Sequence, residues 1–285
     1  MSTVAAAPHP AAPHRTARAG LPRAARDLAT MTRRSLLRMV RYPSLTVLIV
    51  LMPVVLLLLF VYVFGGAFGA GVAAGTAPGA AGRAAYLDYI APAVLVMTAS
   101  SIAQATAIGV AMDMTGGIVT RLRTTPVAPV AVLGGSVVGA VLQTLVAAAA
   151  VLGVAVLLGF RPGAGGAGWL GLAGFFTLFA VVLTWLAVAM GVAARSVESA
   201  SNTPMVLLLL PFLGSGFVPV DTMPTAVRLF AEHQPFTPVI ETVRGLLGGT
   251  PLDATTTWTA VGWCVALTVL GWAWTRRSYR RPRPS

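Results

Sequence analysis

Six long apolar runs follow one another along the chain, separated by shorter stretches richer in Gly, Pro or Arg. Crossing about 30 Å of hydrocarbon takes roughly 20 helical residues at ~1.5 Å each, and lipid offers no partner to the free backbone of an open strand. The runs therefore predict transmembrane helices. The first covers 45–64, LTVLIVLMPVVLLLLFVYVF, with Pro53 as a kink. The next three cover 89–112, 130–160 and 169–192, and the 130–160 run exceeds what a span needs, so it is tilted or protruding. The fifth, PMVLLLLPFLGSGFVPV over 204–220, is interrupted by Pro211 and by Gly214-Ser215-Gly216, the pattern of a broken span. The sixth, 257–274, carries Trp258, Trp263, Trp272 and Trp274, of which the terminal ones suit membrane interfaces.

Two amphipathic segments frame these spans. At about 100° per residue, 23–41 places Ala25, Leu28, Ala29, Thr32, Leu36, Met39 and Val40 on one side, with Arg23, Arg26, Arg34, Arg38 and Arg41 opposite or on its flanks. Met31 and Leu37 interrupt the stripe. The pattern predicts a helix lying on the membrane surface; the plainer reading is a set of Arg anchors for the first span. Between the fifth and sixth runs, DTMPTAVRLFAEHQPFTPVIETVRGLLGG is too polar to cross and too apolar for a free loop. Val239, Ile240, Val243, Leu246 and Leu247 share a helical face, which predicts short helices dipping back into the membrane. The fold class is thus an all-α polytopic membrane protein: six transmembrane helices, an N-terminal amphipathic interfacial helix, and an external re-entrant segment before the last span. One transmembrane unit over 23–276 lies between a disordered tail, 1–22, and a basic tail, 277–285.

Composition sharpens this picture. Hydrophobic residues make up 56% of the 285 and charged ones 10%, with a mean hydropathy of +0.82; soluble domains carry about 25% charged residues. The net charge of +12 would point to nucleic acid in a soluble chain, but sixteen of the twenty Arg fall before the first span, between the second and third, after the fourth, or after the sixth. These are all the same side of a six-span chain, so the positive-inside rule puts both termini in the cytoplasm; the expected location is the plasma (inner) membrane. Arg83, Arg161, Arg228 and Arg244 fall on the other side beside Asp88, Asp221, Glu232, Glu241 and Asp253. Topology accounts for the charge without nucleic acid.

The chain has no Lys, so it lacks the Lys of a P-loop and the amine of a Schiff-base enzyme. Any nucleotide hydrolysis must come from a partner. The single Cys264 excludes an intrachain disulfide or a Cys-based metal site, and residues 1–22 lack the apolar core of a signal peptide. His9 and His14 lie in the tail and His233 stands apart, so the sequence offers neither a metal cluster nor a catalytic motif. The centres of the spans hold no ionisable residue, which argues against a proton-driven antiporter. Their polar content is neutral: Ser100, Ser101 and Gln104 share a face with Met97 and Ile108, and Gln143 and Thr144 mark the third span. This face is either a set of interhelical hydrogen bonds among small residues or a weakly polar wall for an amphiphilic substrate.

Between the second and third runs lies GGIVTRLRTTPVAPV, residues 116–130, an island with two Arg and two Pro. Gly116-Gly117 ends the second span, Ile118 and Leu122 fall on one face of a helical turn, and Pro126 and Pro129 restart the chain stiffly. MDMTGGIVTRLRTTPVAPVAVLGG resembles the corresponding loop of type-2 ABC exporter membrane subunits. FVPVDTMPTAVRLFAEHQPFTPVIETVRGLL is similar to the external signature of the same family, most closely its daunorubicin-resistance drug-exporter branch. The resemblance covers about 24–276. It implies that 23–41 is the connecting helix and the island the coupling helix, docked on a separate cytosolic ATPase that binds ATP and Mg, with no cofactor in this chain. By position, Asp113, Gly117, Ile118, Arg121, Leu122, Arg123 and Pro126 belong to the coupling loop, although Thr120 and Ser136 depart from residues frequent in the branch. Pro219, Met223, Pro224, Gln234, Pro235, Thr237, Pro238 and Arg244 belong to the external motif. The expected activity is ATP-driven export of hydrophobic or amphiphilic molecules by a permease pairing with a second permease copy, a homodimer being the simpler closed assembly and a heterodimer the alternative. Export of lipid or polysaccharide is the alternative within the family, and a proton-driven antiporter the alternative outside it.

Overall fold

The computed structural model describes residues 43–66, 80–115, 129–194 and 196–280, and among them the chain is helical with no strand. The tail 1–22, the segment 23–41, the end of the basic tail and the loop residues Gly117, Ile118, Arg121, Leu122, Arg123 and Pro126 lie outside the described residues. In chain order the helices are α1 (Pro43–Leu59), α2 (Ala80–Thr115), α3 (Pro129–Leu157), α4 (Gly166–Ala193), α5 (Val197–Asn202), α6 (Met205–Leu209), α7 (Thr225–His233), α8 (Phe236–Gly248) and α9 (Ala254–Arg280).

Four helices are long and apolar enough to cross a membrane, over Ala80–Met114, Val137–Leu157, Gly166–Ala193 and Ala254–Ser278. The first and fifth apolar runs only partly overlap the shorter apolar stretches Val50–Phe64 and Val197–Leu213, and 214–220 falls beyond the second. In α1 the departure from α geometry is not at Pro53, which sits inside the helix, but in a π-helical turn at Phe60–Phe64. The fifth run is divided more than its apolar letters indicate. Ser196 caps α5 by a reciprocal pair of bonds with Ser199, so the helical path starts eight residues before Pro204. Pro204 then separates α5 from α6, and Pro211 sits in the 3-10 turn Leu210–Leu213 that follows.

The helix ends have local causes. α2 has 36 residues, about 54 Å at ~1.5 Å per residue and so longer than the ~30 Å hydrocarbon layer. It begins well before Tyr89, through an Ala-rich stretch in which Arg83 and Asp88 face outward. α3 stops at Leu157 because Gly159 takes φ +108°, which lets Phe160 N–H reach the Ala155 carbonyl (2.9 Å) and Gly159 N–H the Val156 carbonyl (3.1 Å). This paired closure satisfies carbonyls that the helix end would leave free.

α4 sits at the centre, packed against α2, α3, α8 and α9, and α2 packs in turn on α1, α3, α5 and α8. The main core cluster joins Leu57 of α1, Ile90, Val94 and Met97 of α2, Phe176, Phe179 and Leu183 of α4, and Phe236, Ile240 and Leu247 of α8. Glycines set the closest crossings. A Cβ at Gly191 would lie 2.5 Å from the Ala107 carbonyl oxygen, and one at Gly271 would lie 3.1 Å from the Leu186 amide nitrogen. α9 is peripheral, with Trp258, Val265, Val269 and Leu270 exposed along its outer side. α8 is enclosed: Phe236, Val239, Ile240, Val243 and Leu247 are buried between α2, α4 and α9.

Candidate functional site

At the Tyr89 end of the bundle a polar seam joins three parts of the chain that are remote in sequence. Glu241 and Arg244 stand three apart on α8, so they share a face, and Arg244 Nη1 meets Glu241 Oε1 at 2.6 Å. The guanidinium lies over the Tyr89 ring, 4.0 Å from its centre. Its remaining donors go to backbone oxygens: Nη2 to the Ser215 carbonyl at 2.9 Å and to the Tyr89 carbonyl at 3.2 Å, with Nε 3.4 Å from the latter. Tyr89 Oη donates to the same Ser215 carbonyl at 2.8 Å, and Tyr86 Oη to the Phe217 carbonyl at 3.3 Å. A planar fork with fixed donors makes this pattern available to Arg and not to Lys.

The external motif residues build the frame of this seam. Pro219 and Met223 flank the 3-10 turn Val220–Thr222, Pro224 precedes α7, and Pro235 precedes α8. Each prolyl ring fixes φ where a new helical turn begins. Pro238 is buried in the first turn of α8 and its carbonyl accepts from Thr242 Oγ1. Gln234, at the corner between α7 and α8, donates from Nε2 to the Leu210 carbonyl (3.1 Å), and Thr237 Oγ1 donates to the Ala231 carbonyl (2.6 Å). A Cβ on Gly214 would lie 2.9 Å from Thr237 Oγ1, so the turn after α6 passes this corner only as glycine. The structure brings Gln234, Thr237 and Arg244 to the same turn, while Pro219, Met223 and Pro224 serve the path around it.

Beside the seam, a pocket of about 250 Å³ opens between α8 and α9, lined among others by Glu241, Arg244, Thr250 and Asp253. Asp253 closes the start of α9 by accepting from Thr256 Oγ1 (2.6 Å) and Thr256 N–H (2.8 Å). These bonds, the side-chain one foremost, hold its carboxyl below the ordinary range. A lowered folded pKa gives stability that is full above the unfolded value, about 3.9, and lost as the pH falls through the folded one. Protection factors from hydrogen exchange at the first amides of α9 are therefore expected to fall with acid in the native chain and to stay level in Asp253→Asn. A native profile without an acid limb would remove this cap from the account.

The neutral face of α2 is placed differently along its length. Met97 and Ser100 are buried within the bundle, and Ser100 and Ser101 donate to the carbonyls of Val96 and Met97 on their own helix. Gln104 alone of this group bonds another helix, giving Nε2 to the Ser201 carbonyl of α5 at 2.9 Å. Asp113 lies in the last turn of α2, half-buried. Sequence reasoning marks Glu241 only as a charge on the side with few Arg and Ser215 only as part of a break in the fifth run, and it misses Tyr86 and Tyr89. The signal available for the tyrosines was their spacing of three at the head of an apolar helix. Among the described residues no three His, Cys, Asp or Glu side chains group to hold a metal ion.

Among the described residues, long apolar helices packed at close glycine crossings, with a charged seam at one end in contact with backbone carbonyls, define a multi-pass helical membrane protein. The chain belongs to the ABC-2 type transporter family, whose profile it matches over residues 26–247. It is similar to the daunorubicin resistance ABC transporter permease protein DrrB1 of Streptomyces coeruleorubidus, 32% identical over 225 residues that cover 78% of this chain and 76% of that protein. Members of this family are transporter permeases, not enzymes, and the matched range includes both the loop motif at 113–126 and the external motif at 219–244.

Proposed function

We propose that this chain is the membrane-spanning half of an ATP-driven exporter, moving hydrophobic or amphiphilic drug-like molecules out of the cell. Its similarity to a daunorubicin resistance permease over 78% of its length is the observation that carries the reading. In this reading the four long helices, α1 and the divided α5–α6 path make six spans with both termini in the cytoplasm, and the distribution of Arg supports it. α7 and α8 form the re-entrant segment on the outer side, and 23–41 the interfacial helix. Two copies pair in the membrane, and each receives a cytosolic ATPase at the loop after α2, where Gly117, Ile118, Arg121, Leu122, Arg123 and Pro126 follow Asp113. That subunit binds ATP and Mg, since a chain without Lys has no P-loop of its own. Ser101 and Gln104, half-buried on α2, line the substrate path once the two copies part, with Met97 and Ser100 buried behind them on the same side of the helix, a role that neutral hydroxyl and amide groups fill without the cost of a buried charge.

The test is uptake into inverted membrane vesicles holding this chain and its ATPase, with daunorubicin fluorescence as the probe. Accumulation is expected to require ATP, to vanish with the ATPase, and to survive collapse of the proton gradient. Uptake that follows the gradient and ignores ATP would replace this reading with an antiporter.

A further inference from the structure

Residues 214–217 make a buried turn inside an otherwise helical bundle. Their carbonyls are held by side chains of other elements: Ser215 O by Tyr89 Oη and Arg244 Nη2, and Phe217 O by Tyr86 Oη. Gln234 Nε2 holds the Leu210 carbonyl just before the turn. The packing is close, for a Cβ on Gly216 would lie 2.7 Å from the Pro211 carbonyl oxygen and 3.0 Å from Ala93 Cβ. Yet Ser215 Oγ and Gln234 Oε1 are buried with no hydrogen-bond partner. Buried polar clusters that serve only to hold a fold satisfy their members, so two unpartnered oxygens, one in the turn and one at the α7–α8 corner beside it, call for a second arrangement in which both are bonded.

We propose that residues 214–217 are a gate that closes this end of the bundle, and that Arg244, with Tyr89 beneath it, is the positioning residue that holds the gate shut. The fork of Arg244 ties α8, α2 and the turn together at one point, so the turn cannot withdraw from α2 without breaking it. All the bonds across the gap end on carbonyl oxygens, which exchange a protein donor for water at small net cost. A gate closed by polar bonds in this way reopens reversibly, whereas an apolar plug of the same size resists wetting. Withdrawal of the turn wets Ser215 and Gln234 and opens an exit, a statement that rests on the permease reading above. Other family positions at this end, such as Pro235 and Pro238, shape the frame on which the latch is mounted.

Thiol accessibility tests this in the full-length chain, in sheared membranes open on both faces, with a sulfonated maleimide as the probe. Ser215→Cys suits the purpose because the Ser215 hydroxyl makes no bond to lose. The native Cys264 is buried and sets the background. Arg244→Gln and Tyr89→Phe are each expected to raise the labelling rate of Cys at 215 roughly tenfold, since the rate follows the population of the open state. Arg244→Lys, which keeps the charge and loses the fork, is expected to fall between them and the parent. Thr184→Cys, buried in the middle of α4, reports general loosening and is expected to stay protected throughout. Unchanged labelling at 215 in both Arg244→Gln and Tyr89→Phe, or equal gains at 184 and 215, would overturn the gate. No ATPase or substrate enters the assay, so its failure leaves the vesicle test of ATP-driven export untouched.

Discussion

Gly191→Ala is expected to lower the thermal stability of the purified protein by about 1–3 kcal/mol, the usual cost of overfilling a well-packed core. The site lies where α4 crosses α2: the added Cβ would meet the Ala107 carbonyl oxygen at 2.5 Å and Val110 Cβ at 2.9 Å. The first of these is backbone in the middle of a helix, so it has no rotamer by which to move aside. α2 is itself enclosed by α1, α3, α5 and α8, and a shift of its axis would disturb all of those contacts. The matched control is Gly174→Ala on the same helix, where nothing lies within 4 Å of the new atom. There the change removes only the conformational freedom of glycine, and a gain of roughly 0.5–1 kcal/mol is expected. Cys264 supplies the readout, since its buried thiol reacts with a fluorogenic maleimide only when the bundle opens. Equal unfolding midpoints for the two variants would show that the α2–α4 crossing is less tight than these distances state.

The same crossing shows what a sequence reading reaches and what it does not. Long helices over the second, third, fourth and sixth runs follow from hydropathy and length alone, because a continuous apolar stretch has few other solutions in lipid. Their ends depend on subtler local chemistry. Phe160 continues the apolar letters of α3, but Gly159 ends the helix before it. Ser196 begins the fifth path among polar residues that a search for apolar runs passes over. Gly191 and Gly174 are alike in sequence, and only the neighbour across the crossing makes one critical and the other free.

The seam was legible in part for a related reason. Arg244, Gln234 and Thr237 stood out by family resemblance, but their partners did not, because the bonds that give Arg244 its role join it to Tyr89, 155 residues earlier. No periodicity encodes a contact of that range. The face of Ser100, Ser101 and Gln104 was visible as a pattern, while the direction of each bond was not: two hydroxyls turn back to their own helix and the amide alone crosses to α5.

Reversing charge in the loop after α2, with Arg121→Glu and Arg123→Glu together, is expected to lower co-purification of the ATPase that the proposed function requires. The motif there places two cations two residues apart beside Leu122, between the Gly and Pro that bound the loop. With this loop docked on the ATPase, exchanging both cations for anions removes the attraction and sets like charges against whatever carboxylates receive it, a change that falls on both association and dissociation. A loss of at least tenfold in apparent affinity, about 1.4 kcal/mol, is the minimum expected. Orientation in the membrane is expected to hold, because fourteen Arg remain on that side of the chain. Arg83→Glu, placed by the same charge distribution on the opposite side, is the control and is expected to leave the ATPase bound. The measurement is pull-down of the ATPase at two salt concentrations with stimulated ATP hydrolysis read in parallel, since a charge-led contact weakens with salt in the parent. Undiminished binding and hydrolysis in the double variant, with the permease inserted, would reduce the island to a topology signal and move the site of coupling elsewhere.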